Sequence, residues 1–166
     1  MLTQLSYIIN KVTNNDKNIL FFRGNDKLSY NIFQNLLDYN FYVWQISHYE
    51  KWNFDQYITN DNINFIHSLD HISDVDISLI IMPYAKEMVE ITKHLIHIPK
   101  VSLFETVVDY PINTQIERLH YGDICLCPSE EIFDFWKLDS KGKIIPDWDM
   151  KQFKSVIEKV NESNFS

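Results

Sequence analysis

Short apolar runs recur along this chain, and the segments between them carry apolar residues at helical spacing. No other feature narrows the possible folds as far. The runs fall at residues 18–22, 41–46, 63–67, 76–82, 101–104 and 123–127, with a brief last one at 143–145. Residues 29–39 set Ile32, Phe33, Leu36 and Leu37 on one helical face, with Ser29 as the expected N-cap. Residues 86–98 do the same with Met88, Ile91, Leu95 and Ile98 ahead of Pro99. Further helices are expected at 112–119, at 130–138 behind Ser129 as N-cap, and at 150–160, and an amphipathic stretch (Leu2, Leu5, Ile8, Ile9, Val12) precedes the first run. The link from 68 to 75 has room only for a turn of helix. Parallel strands need crossover connections, and these are usually helical. The alternation therefore predicts an α/β fold: a doubly wound, mostly parallel, Rossmann-like sheet of about six to seven strands with helices on both faces.

At 166 residues the chain is long enough to bury a core without disulfides. No linker or repeat divides it, so one domain over 1–166 is expected: an N-terminal helix in 1–17, sheet and crossovers in 18–149, and a C-terminal helix and tail in 150–166. Fifteen Lys plus Arg against twenty-three Asp plus Glu give a net charge of −8, which opposes a phosphate backbone, so nucleic acid is not an expected partner. No apolar window reaches transmembrane length and no signal-peptide pattern opens the chain, so a cytoplasmic protein is expected. Cys125 and Cys127 are the only cysteines. They are read as strand residues pointing to opposite faces, and hence as unbridged thiols in a reducing compartment.

In an open parallel sheet, ligands bind beyond the carboxyl ends of the strands, near the point where strand order reverses. That rule nominates Arg23, Gly24, Asn25 and Asp26 after the first run, His48, Tyr49 and Glu50 after the second, and His67 and Ser68 after the third. Tyr84 and Lys86 follow the fourth, Glu105, Thr106 and Asp109 the fifth, Ser129 and Glu130 the sixth, and Asp147 the last. Gly24 stands alone in the first turn, so the glycine-rich dinucleotide fingerprint is absent. A P-loop is absent as well, and the first turn lacks the acidic pair of a receiver domain.

The segment Asp123-Ile-Cys-Leu-Cys-Pro-Ser129, then a helix, then Lys143-Ile-Ile-Pro-Asp147 with Trp148, Asp149 and Phe153, resembles the later part of the N-terminal domain of GT-B glycosyltransferases. Val101 to Asp109 resembles the strand and acceptor-site loop of that family, and Phe22-Arg23-Gly24 through Leu37 its first loop and helix, so the likeness spans about Asn18 to Phe153. The chain departs from the pattern in its glycine-poor first loop and in Glu105, which stands near the place of a histidine. The family's donor-binding C-terminal domain has no room in this length.

The resemblance implies an acceptor-binding half that works with a separate donor-binding subunit or in a homo-oligomer, with a nucleotide sugar as substrate and no cofactor. It also implies Asp109, or next Glu105, as the base that takes the acceptor hydroxyl's proton. Arg23, Gly24, Asn25, His48, Tyr84, Thr106, Ser129 and Glu130 would then contact substrate. A non-catalytic binding module on the same sheet is the alternative.

Other features carry less. His67 and His71 at i, i+4 and His94 and His97 at i, i+3 lack a third ligand, so no metal is expected, and the second pair reads as core-edge packing on a helix. Cys127 is either a buried strand thiol or a nucleophile activated by the next helix N-terminus. Arg23 either grips an anion or forms a surface ion pair. The aromatics Tyr42, Trp44, Tyr49, Trp52, Phe54 and Tyr57 suit core, sugar stacking or a partner interface.

Overall fold

The computed structural model describes residues 17–22, 27–44, 61–83, 95, 97–105 and 122–163. The strands are β1 (Asn18–Phe22), β2 (Asn40–Trp44), β3 (Ile63–Ile66), β4 (Leu79–Pro83), β5 (Lys100–Leu103), β6 (Ile124–Cys127) and β7 (Gly142–Ile144). The helices among the described residues are α1 (Lys27–Asn35), α2 (Glu130–Trp136) and α3 (Met150–Ser163), and single 3₁₀ turns occupy Leu69–Ile72, Asp139–Lys141 and Pro146–Trp148. The expected N-terminal helix and those at 86–98 and 112–119 lie mostly or wholly outside the described residues.

All seven strands form one sheet in the order β3-β2-β1-β4-β5-β6-β7, and every neighbouring pair is parallel. The predicted α/β class is therefore the observed one. The chain lays β2 and β3 on one side of β1, then returns to place β4 on the other, so strand order reverses between β1 and β4.

Successive side chains leave a strand on opposite faces, so each strand feeds two cores. One face presents Ile19, Phe21, Phe41, Val43, Leu79, Ile81, Val101, Leu103 and Leu126 to Ile32 and Phe33 of α1, to Leu36 just beyond it, and to Phe153, Val156, Ile157 and Val160 of α3. At its centre the rings of Phe21, Phe33 and Phe41 meet at centroid distances of 4.9, 4.8 and 6.0 Å in edge-on and tilted pairs, the geometries favoured by the aromatic quadrupole. The other face carries Leu20, Phe22, Ile80 and Met82, and toward β6 a separate cluster of Phe104, Cys125, Cys127, Trp136 and Leu138.

Two sequence expectations need correction here. Ser29 lies inside α1 and is buried, so it is not the N-cap: the helix starts at Lys27. Cys125 and Cys127 share one face and one apolar cluster, because residues two apart on a strand point the same way. They are unbridged all the same.

Helix α2 ends in a Schellman motif. Lys137 adopts the left-handed conformation (φ 53°, ψ 55°). Its N–H donates to the Asp134 carbonyl at 3.2 Å, and the Leu138 N–H donates to the Phe133 carbonyl at 3.2 Å. Phe133 and Leu138 then close over β7 at Gly142, where an added Cβ would stand 2.4 Å from Leu138 Cβ and 2.5 Å from Phe133 Cε2.

The amino edge of the sheet is pinned by polar side chains. Asn18 Nδ2 donates to the Asp76 carbonyl (3.1 Å), Asn40 Nδ2 to Asn18 Oδ1 (3.3 Å), and Ser78 Oγ to Asn161 Oδ1 on α3 (3.3 Å). Lys100 Nζ donates to the carbonyls of Leu95 (2.6 Å) and Ile98 (3.1 Å), and burial holds its pKa below the usual lysine value against the opposing pull of Asp123.

Candidate functional site

The carboxyl ends of seven parallel strands make one rim, and its described part runs over β3, β5, β6 and β7. Past β5 the chain continues through Phe104, whose buried ring meets Trp136 edge-on at 5.3 Å, to half-buried Glu105. Past β6, Pro128 leads into Ser129, an extended residue (φ −154°, ψ 159°) whose Oγ accepts the Ile132 N–H at 3.3 Å. Ser129 is thus the N-cap expected from the sequence, and exposed Glu130 and Glu131 in the first turn of α2 face the positive end of the helix dipole.

The loop after β7 is tied to that after β6. The Ile145 N–H donates to the Cys127 carbonyl (2.7 Å) and the Asp147 N–H to the Pro128 carbonyl (3.2 Å), extending the β6–β7 ladder into the rim. Asp147 (φ 50°) and Trp148 (φ 55°) are then both left-handed. Neither is glycine, and each such residue costs about 1–2 kcal/mol.

The turn is held from several sides. The Trp148 and Asp149 N–H groups donate to the Ile145 and Pro146 carbonyls at 2.9 and 3.0 Å. Asp149 caps α3, its Oδ1 accepting the Lys151 N–H at 2.9 Å and its Oδ2 accepting from Gln152 Nε2 at 3.3 Å. Half-buried Trp148 packs on the core, with its ring edge-on to Phe153 at 6.4 Å.

Of the residues nominated as catalytic or substrate-binding, the structure describes Glu105, Ser129 and Glu130, and places all three on the rim at the ends of adjacent strands β5 and β6. Asp109, Arg23, Gly24, Asn25, His48, Tyr84 and Thr106 lie outside the described residues. Asp147 joins the rim at β7. Trp148 was not singled out from the sequence as a site residue; a signal for it lay in Ile145-Pro-Asp-Trp-Asp149, a tight turn written without glycine. Glu105, Glu130 and Asp147 follow β5, β6 and β7 in turn and offer carboxylate hydrogen-bond acceptors at successive strand ends.

Burial pushes the Cys125 thiol up to about 12, and burial raises Cys127 as well, outweighing the opposing hydrogen bond to the Ser129 backbone. Cys127 Sγ donates to the Ser129 carbonyl at 3.4 Å. The His67 backbone N–H donates to His71 Nδ1 at 3.2 Å, which closes the turn after β3 and occupies that ring nitrogen. Among the described residues no three potential ligands cluster for a metal. His97 is exposed in a turn before Pro99, and not packed at the core edge.

No family model, no curated protein and no solved structure matches this chain. No helix among the described residues is long and apolar enough to cross a membrane.

Proposed function

We propose that this chain is a glycosyltransferase-like acceptor-binding domain, the counterpart of the N-terminal half of a GT-B enzyme, which needs a separate donor-binding subunit or domain for sugar transfer. The observation that carries the reading is the run from β6 to α3. Asp123 to Ser129 is a strand ending in an N-cap, α2 follows, and β7 leads through Ile145-Pro-Asp147 into a helix that buries Phe153. The order strand, capped helix, strand and helix from β6 to α3 supports the reading, since the family pattern calls for that order. The reversal of strand order between β1 and β4 supports the reading, since folds of this kind hold their ligands beside such a switch point.

In this reading the acceptor hydroxyl attacks the anomeric carbon of a nucleotide sugar, the nucleoside diphosphate leaves, and Asp109 takes the hydroxyl proton, with Glu105 the next candidate. The donor is a substrate brought by the partner. A non-catalytic binding module is the second reading, favoured by Ser129, whose Oγ is already committed to holding α2.

The test combines native mass measurement with a thermal-shift screen of nucleotide sugars and glycans, each with and without candidate partner subunits. A shift with a glycan supports acceptor binding. Transfer by the assembled complex that falls at least a hundredfold in Asp109→Asn supports catalysis by that base. Absence of any shift defeats the glycan reading, and glycan binding without transfer in any complex leaves the binding module.

A further inference from the structure

We infer that the β3 edge of the sheet is a self-association surface, on which a second copy of this chain adds its own β3 antiparallel, whatever ligand the rim holds. The two sheets then continue into one another across a twofold axis that passes between the Asn64 residues of the two copies.

Among the described residues β3 ends the sheet and is paired on one side only, with β2. The Phe41 N–H donates to the Asn62 carbonyl at 2.8 Å, and Phe41 lies opposite Ile63 in the parallel register, so the backbone groups of Asn62, Asn64 and Ile66 face β2. Those of Ile63 and Phe65 face outward, because alternate residues of a strand bond to opposite sides. Asn64 and Phe65 are exposed, Phe65 with 37% of its surface in solvent. Charged side chains, lysine above all, are what keeps a sheet edge from pairing with another. The opposite edge has them, for β7 carries exposed Lys143, with exposed Lys141 just before it. Ile63-Asn-Phe-Ile66 has no charged residue, in a chain whose net charge is −8.

A second copy is the occupant because the edge is complementary to itself and holds no charge with which to select a foreign strand. Facing residues of two antiparallel strands exchange their hydrogen bonds as pairs. With the axis at Asn64, Ile63 of each copy pairs with Phe65 of the other, and each exposed ring gains an isoleucine neighbour. These pairs lie on the face that α1 and α3 cover, since Ile63 is in register with Phe41 and Phe65 with Val43. An aromatic ring beside a β-branched side chain is a favourable cross-strand pair. The two Asn64 side chains meet on the opposite face, where each carboxamide offers the other a donor and an acceptor. Beyond the strand, exposed Asp61 falls toward exposed His67 of the second copy and not toward another acid.

So short a strand pair buries less than the roughly 800 Å² per partner of a stable complex, so a dissociation constant on the order of 100 μM is expected. Sedimentation velocity over about 5–1,000 μM should therefore show monomer passing into dimer. Phe65→Lys sets a charge on each side of the axis and is expected to weaken association by about tenfold, with circular dichroism confirming that the exposed substitution leaves the fold intact. Oxidative cross-linking of added cysteines reads the register, since buried Cys125 and Cys127 are shielded. Asn64→Cys, whose Cα atoms stand about 4.5–5.5 Å apart across the axis, should form a disulfide dimer about tenfold faster than Phe65→Cys, which faces Ile63 of the second copy. A monomer over the whole range overturns the inference. So does a dimer that folded Phe65→Lys leaves unchanged, or equal cross-linking at the two positions.

Discussion

Ser102 gives the sharpest test of how this sheet is built. It sits in the middle of β5, fully buried, in a row with Met82 on β4 and Cys125 on β6, and its Oγ has no hydrogen-bond partner among the described residues. An unsatisfied buried hydroxyl costs about 1–3 kcal/mol. Its removal in Ser102→Ala leaves a void of roughly one oxygen atom, about 10–15 Å³, worth about 0.3 kcal/mol at the usual cavity coefficient.

Desolvation outweighs the void, so Ser102→Ala is expected to stabilise by about 1–2 kcal/mol, which for a chain of this length raises the melting midpoint by about 2–8 °C. Urea unfolding followed by circular dichroism gives the free energy directly, and an unchanged slope shows that the denatured state has not altered. The opposite sign, a loss of stability in Ser102→Ala, would falsify the reasoning, because the hydroxyl would then be making a bond in the folded state. Ser102 Oγ also lies 2.8 Å from where a Cβ on Gly122 would stand, and Gly122 has φ +95°, so that glycine lets β6 begin close against β5.

Three further outcomes are expected. Cys125 has its pKa raised by burial from 9.0 to about 12, so the folded state holds its proton more tightly than the unfolded chain; the associated stability is complete below pH 9 and is lost, up to about 4 kcal/mol, as pH climbs from about 9 to 12. Urea midpoints across that range should fall more steeply for the native sequence than for Cys125→Ala, and parallel slopes would remove Cys125 as the cause. Lys137→Gly should stabilise by about 0.5–1 kcal/mol, because glycine takes the left-handed C′ position of α2 without the Cβ penalty and loses part of that gain to its freer unfolded chain; a destabilised variant in thermal unfolding would contradict it. Gly142→Ala should cost about 1–3 kcal/mol, since its Cβ would collide with Leu138 and Phe133, and an unchanged urea midpoint would show that α2 can shift away.

Much of the fold was legible because hydrophobic periodicity is a local property. The runs at Ile19 to Phe22 and Leu79 to Met82 are apolar at every position, which suits strands buried on both faces, and both strands proved central. Ser129 was readable as a cap because capping is decided within three residues, by a hydroxyl and the Ile132 N–H. Ser29 has the same chemistry and a different place, inside α1 on the buried side that also carries Ile32 and Phe33.

The candidate site was legible as a rim and only in part as residues. The strand-end rule put Glu105, Ser129, Glu130 and Asp147 just past the carboxyl ends of strands, where the structure has them, since it needs only the direction of each strand. Trp148 lay beyond it, because the left-handed turn that presents the indole depends on the Asp147 N–H reaching the Pro128 carbonyl, a bond between two loops.

For the described elements, the sequence by itself determined strand or helix type and the parallel arrangement, because each follows from spacing within about ten residues. Only the tertiary structure decided the order of the strands, the sharing of one face by Cys125 and Cys127 with Trp136, and the left-handed turn at Asp147 and Trp148. Strand order is a choice among crossovers of similar local cost, and long-range packing makes that choice.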